Sequence, residues 1–280
     1  MNMDIEQVLR GLGGAAQTDT VLHLGVSAAQ LARALRGRQV WQPGPDVLAV
    51  HGAPPAFVQA VCRGGVLTCV SAAGHFGLWQ VREPRQLHLA LPPRHPILHS
   101  RLTRPADGPP VAALADVLIH GLLCLPVPES VVLVESAVNR GLASTDLLRR
   151  TLLAGTGGGT ASVGCALAAL DLIQPGSSSV LQILARVVFR RFGFDVATQV
   201  WITGFGVVDF LLEGCLIVEL CGPEVDLHKS RFSSVSGQEL AATAAGYQLL
   251  RVPYTEAMNR PQLMSGRLRR ALREGRALAG

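Results

Sequence analysis

Asp209 and Glu219 are the two side chains of this sequence best placed to do chemistry. Each is an acid set in an apolar run. Val207–Leu212 and Cys215–Leu220 read as strands, and Glu213-Gly214 between them reads as a hairpin turn. Two carboxylates meeting at one sheet edge can hold Mg²⁺ beside a phosphodiester, where the metal activates water and stabilises the developing charge. Metal-assisted phosphodiester cleavage is therefore the chemistry to test. Cys221 shares the face of Glu219 because strand side chains alternate, and a working site would carry Lys, Asp or Gln there. Glu219 inside Leu216-Ile217-Val218-Glu219-Leu220 is costly to bury without a partner. Arg251 or Lys229 would neutralise it in a site that holds no metal. The plainer alternative is that both acids are satisfied polar residues at strand ends.

The elements that must position these acids read as α-β-β-β-α-β-α. A helix at Val180–Phe192 is stopped by Gly193. Strands follow at Asp195–Ile202, Val207–Leu212 and Cys215–Leu220, then a helix at Phe232–Ala245, a strand at Gln248–Val252 and a basic helix at Gln262–Ala277. Gln174-Pro175-Gly176-Ser177-Ser178-Ser179 is a linker by composition and opens this third segment, 174–280. The terminal helix carries Arg267, Arg269, Arg270, Arg273 and Arg276, which either follow phosphates, Arg267 and Arg270 first among them, or form a solvated face.

Val207-Val208-Asp209-Phe210, Ile217-Val218-Glu219-Leu220-Cys221-Gly222 and Ala245-Gly246-Tyr247-Gln248-Leu249-Leu250-Arg251 together resemble an actinobacterial domain family related to very-short-patch repair endonucleases, of the PD-(D/E)XK nuclease-like class. The resemblance implies a restriction-endonuclease-like domain in which Asp209 and Glu219 are the metal-binding, catalytic carboxylates. The departures are concentrated at the same site. The helix position where relatives carry Glu is Gln182, and the Asp after the strand of Glu219 is Cys221. The family's His falls on Asp226, with His228 nearby, and its later acidic and basic residues fall on Val235, Ser236 and Glu239. An amide at Gln182 supplies no charge to a metal, and a thiol at Cys221 is a soft ligand poorly suited to Mg²⁺. The catalytic set is degenerate. No cofactor is expected, Mg²⁺ entering only if the site is active.

The first segment, 1–52, reads as a winged helix-turn-helix. Ile5, Val8, Leu9 and Leu12 keep helical spacing up to Gly13-Gly14, Thr18–Leu24 is a second helix, and Ser27 caps a third, Ala28–Arg38. Gln39-Val40-Trp41, a turn at Pro43-Gly44-Pro45-Asp46 and Val47–Val50 read as a hairpin. In this plan the third helix enters the major groove with its N-terminal residues toward base edges and the hairpin touches the backbone. Ser27, Gln30, Arg33, Arg36 and Arg38 are then the DNA-binding residues, with Gln30 able to reach a base. A small helical domain with solvated arginines is the alternative.

The middle segment, 53–173, reads as mixed α/β. Helices are expected at Pro55–Arg63, Val111–Cys124, Glu129–Arg140 and Thr145–Leu153, a short one at Ser71–Leu78, and strands at Val66–Val70, Leu87–Leu91 and Ile97–Leu102. Gly157-Gly158-Gly159 lacks the Gly-Lys-Ser/Thr of a phosphate loop. Leu9–Gly14, Gly25–Arg38, Gly65–Ala73 and Gly77-Leu78-Trp79 resemble proteins with an AbiEi-type antitoxin winged-helix domain, in which a winged helix precedes a linking domain and a nuclease-like domain. The fold class expected for the whole is α/β, α+β overall.

Composition narrows the setting. Half of the 280 residues are hydrophobic (49 %), enough for a sizeable core, and no apolar run reaches the roughly 18 to 20 residues of a membrane span. The start is acidic and amphipathic, unlike a signal peptide, so a cytoplasmic protein without a membrane partner is expected. The net charge of +5 is carried almost wholly by arginine, Lys229 being the single lysine. That bias fits either phosphate contact or a GC-rich genome. None of the six cysteines forms a CxxC pair, so buried free thiols are expected rather than a zinc site. His75, His88, His95, His99 and His120 show no ligand spacing and read as packing or surface residues. The function expected is a sequence-specific regulator of transcription, a repressor of antitoxin or phage type, bound to double-stranded DNA, often as a homodimer. A Mg²⁺-dependent endonuclease and an antitoxin that binds a toxin protein are the alternatives.

Overall fold

The computed structural model describes residues 4–91, 108–155, 161–177, 179–221, 240 and 242–278. The expected strand at Ile97–Leu102, His95, His99, Gly157-Gly158-Gly159, Asp226, His228, Lys229, Val235, Ser236, Glu239 and most of the expected helix Phe232–Ala245 lie outside these residues. The protein is mixed α/β. It divides between Pro175 and Gly176 into two compact units. No helix among the described residues is long and apolar enough to cross a membrane.

The first unit opens with α1 (Ile5–Gly11), whose N-cap Asp4 accepts from the Glu6 amide at 3.0 Å. Gly13 and Gly14, both with positive φ, end the helix and turn the chain into β1 (Ala15–Gln17). A side chain at Gly14 would meet Ala53 at 2.9 Å, so glycine is required by space as well as by φ. Next come α2 (Thr18–His23), α3 (Ala28–Arg36), β2 (Val40–Gly44) and β3 (Val47–Val50). The sheet order is β1-β3-β2, all antiparallel, with Ala16 opposite Leu48 and Val40 opposite Val50. β1 has no counterpart among the elements the sequence predicts. Ala-Ala-Gln has little strand preference of its own, and its partner β3 supplies the ladder. The third helix is shorter than expected because Gly37 caps it and Arg38 turns left-handed, φ 55°.

All four residues of β3 are buried. Leu48 and Val50 face a core built from Ile5, Leu9, Val21, Val26 and Ala34. Val47 and Ala49 face the other way, with Ala15, against Val58 and Val61 of α4 (Pro55–Cys62). Gln17 also donates through Nε2 to the Val61 carbonyl at 2.9 Å. The sequence boundary at Gly52 therefore falls between elements that pack together.

The remainder of this unit pairs β4 (Val66–Leu67) with β5 (Leu89–Ala90) and surrounds them with helices. The strand expected to run to Val70 stops at Leu67. Cys69 adopts a left-handed φ of 51° and sends the chain into a 3-10 helix, Cys69–Phe76. Four helices follow: α5 (Leu114–Cys124), α6 (Val127–Asn139), α7 (Thr145–Gly155) and α8 (Ala161–Asp171), the last not anticipated. Two polar contacts lie inside this bundle. Buried Glu135 accepts from the Gln174 amide at 2.9 Å, and Thr68 Oγ1 lies 2.7 Å from His120 Nδ1.

The second unit packs α9 (Val180–Arg191) on a four-stranded sheet, β6 (Val196–Ile202), β7 (Gly206–Leu212), β8 (Leu216–Cys221) and β9 (Gln248–Pro253). The order is β6-β7-β8-β9, antiparallel except for the parallel β8–β9 pair. Glu213 (φ 51°) and Gly214 (φ 68°) form the expected tight turn between β7 and β8, with Cys215 N donating to Leu212 O at 3.1 Å. The core joins Phe189 and Phe210, edge-to-face at 5.2 Å, to Leu212, Leu216, Val218 and Val252. Two helices close the chain, α10 (Tyr254–Asn259), not anticipated, and α11 (Pro261–Leu278).

Candidate functional site

The carboxylate site is built at an irregularity. In the β6–β7 ladder Thr198 pairs with Phe210 and Val200 with Val208, but the step between them, Gln199 opposite Asp209, is skipped. Gln199 is left-handed there, φ 52°. The register is the same on both sides of the gap, so no residue is inserted in either strand. Asp209 Oδ1 accepts from Gln182 Nε2 of α9 at 3.1 Å and from Gln199 Nε2 at 3.4 Å. Gln182 is placed by the N-cap of α9, where Ser179 Oγ accepts from the Gln182 amide at 3.2 Å. Gln182 is thus brought onto Asp209 as an amide donor, which offers no charge to a metal.

Glu219 has a different partner. It stands in register with Arg251 across β8–β9, and Arg251 Nε lies 3.2 Å from Glu219 Oε2. Both side chains are about a quarter exposed (25 % and 24 %), so the pair is only partly screened by water. Cys221 stands opposite Pro253 on the same two strands. Mg²⁺ asks for charged oxygen ligands free to approach an octahedral ion. One acid here is held by two amides and the other by a guanidinium, so the residues present do not fit that ion.

In the first unit, α2 and α3 are joined by Leu24-Gly25-Val26-Ser27, with Gly25 at φ 95° and Val26 buried. Ser27 and Gln30 form a capping box. The Ser27 amide donates to Gln30 Oε1 at 2.8 Å, and the Gln30 amide donates to Ser27 Oγ at 3.3 Å. The sequence assigns both residues to DNA contact, but the structure gives them a prior task, fixing where α3 begins. Ser27→Ala should cost about 1 kcal/mol, read as faster hydrogen exchange in α3 with the rest of the unit unchanged.

Arg33 and Arg36 lie three residues apart on α3 and are exposed, while Ala34 is buried and Leu31 and Leu35 pack on the core. Among the described residues no hydrogen bond or ion pair engages either guanidinium. Arg38 is exposed beyond the cap, and its carbonyl accepts from His51 Nε2 at 3.0 Å. The terminal helix is more committed. Arg267 is paired with Glu256 of α10. Arg269 donates to the Phe192 carbonyl at 2.7 Å and lies over the Phe194 ring, 5.2 Å from its centre. Arg270 and Arg273 are exposed.

One group escaped the sequence reading. Cys69, His88 and Cys124 offer donor atoms that all lie within 4.8 Å of one another, the one such set of three or more His, Cys, Asp or Glu among the described residues. Cys69 is buried, while His88 and Cys124 are partly exposed. The neighbouring Cys124 thiol, with burial, pushes the Cys69 thiol far above its usual range. All six cysteines are free; the expectation that they are buried holds at Cys69 and fails at Cys62 and Cys165, which are exposed. No protein-family model matches this chain, and no curated protein matches it either.

Proposed function

We propose that this protein is a sequence-specific DNA-binding regulator, reading DNA through a winged helix-turn-helix at 4–50 and retaining a nuclease-like second unit that does not cleave. The observation that carries the reading is α3. It follows α2 through a four-residue turn, sits beside a sheet ordered β1-β3-β2, and presents Arg33 and Arg36 to solvent with no partner among the described residues. Helix, strand, two helices and a hairpin in that order are the winged-helix plan, and α3 is the element such a domain lays in the major groove. Unpaired guanidinium groups on that helix suit phosphates and guanine edges. In the second unit, α9 on a mixed sheet with Asp209 and Glu219 on adjacent strands supports the PD-(D/E)XK reading. The partners of those acids support a scaffold kept for binding. The resemblances to AbiEi-type antitoxins and to very-short-patch repair endonucleases agree with this order of parts.

The test is selection of bound fragments from a genomic library by the full chain, followed by incubation with Mg²⁺ or Mn²⁺. The bound fragments should share a sequence and remain intact. Cleavage that Asp209→Ala abolishes would instead select the endonuclease reading.

A further inference from the structure

We infer that Cys69, His88 and Cys124 form a binding site for Zn²⁺. Three separate elements supply the donors. Cys69 begins the 3-10 helix, His88 precedes β5, and Cys124 is the last residue of α5. Around a tetrahedral zinc the sulfur and nitrogen ligands stand about 3.5 to 3.8 Å apart, given Zn–S near 2.3 Å and Zn–N near 2.0 Å. Cys124 Sγ is 3.5 Å from His88 Nδ1, and the third donor needs to move by only about 1 Å from the outer limit of 4.8 Å.

The donor set is soft. Two thiolates and an imidazole select Zn²⁺ over Mg²⁺ or Ca²⁺, and the two thiolate charges balance the ion in a half-buried place. Binding releases the two thiol protons to solvent. Three protein ligands leave one tetrahedral position for water.

The surroundings fit a built site. His88 is held by its backbone, whose amide donates to Ser71 Oγ at 2.8 Å. Cys69 keeps a left-handed φ of 51°, a conformation that non-glycine residues adopt only at a cost. Its thiol lies within 4.8 Å of the other two donors. A bound ion would tie the start of the 3-10 helix after β4, the entry to β5 and the end of α5 together, which short two-residue strands cannot do alone.

The experiment uses the full chain purified without chelator. Metal analysis should find one equivalent of zinc. Cobalt(II) added to the metal-stripped chain should give a thiolate-to-cobalt charge-transfer absorption. Cys124 should resist alkylation with Zn²⁺ present and react once a chelator is added, while exposed Cys62 and Cys165 react in both states. His88→Gln should weaken Zn²⁺ binding at least as much as the roughly 100-fold that losing an outer-shell partner costs, and Cys62→Ser should not change it. Chelator-independent alkylation of Cys124 in the unmutated chain overturns the site. So does a Cys69–Cys124 disulfide in the protein as purified, or copper(I) in place of zinc.

Discussion

Replacing Arg33 and Arg36 together by alanine lowers affinity for the selected DNA by about 30- to 1,000-fold, some 2 to 4 kcal/mol. Both guanidinium groups are exposed on α3, and among the described residues neither is held by a partner. They therefore reach a phosphate or a guanine without first breaking an internal bond. The same exposure predicts that the fold is untouched, because Ala34, Leu31 and Leu35 carry the packing face of α3. Two charges fewer at the phosphates should also reduce the slope of log affinity against log salt by about 2 if both contact the backbone. Fluorescence anisotropy at several salt concentrations reads both quantities. Unchanged affinity places the DNA contact somewhere other than α3. A drop in affinity with an unchanged salt slope assigns the two arginines to bases instead of phosphates.

Arg251→Ala destabilises the second unit by about 2 to 3 kcal/mol, below the ~3 to 5 kcal/mol of a fully buried pair because each partner is a quarter exposed. Without the guanidinium, Glu219 remains as a charge between Val218 and Leu220 with its nearest opposite charge gone. Hydrogen exchange along β8 and β9 is the measurement, since the pair joins those two strands in register. Glu219→Gln added to Arg251→Ala should recover most of the loss, because an amide needs no counter-charge. A single variant as stable as the unmutated chain would mean that the pair contributes nothing. A single variant that Mg²⁺ restabilises would mean that Arg251 stands where a metal binds.

Much of the second unit was legible in the sequence because its signals are local. Glu213-Gly214 between two apolar runs specifies a turn with two positive φ values, and the structure has it. Glu219 in an apolar strand demanded a counter-charge, and Arg251 supplies it from the neighbouring strand. Ser27 marked the start of α3 for the reason that it caps it. The failures are tertiary. Nothing in Ala15-Ala16-Gln17 signals a strand until β3 lies alongside it. The skipped step at Gln199 and Asp209 is a backbone irregularity inside a run that reads as one continuous strand. Ala161–Asp171 is apolar on all sides, so it offers no helical stripe to read. Cys69, His88 and Cys124 are far apart in sequence and meet only through the fold, so ligand spacing could not reveal them.

The affinity of the full chain for its selected DNA, compared at one fixed salt concentration with a shuffled fragment of the same composition, decides whether this is a sequence reader. A winged-helix regulator should prefer the selected fragment by at least about 1,000-fold, with neither fragment cut in Mg²⁺. Equal affinities for the two fragments would contradict it, leaving an arginine-rich protein that holds DNA by charge alone.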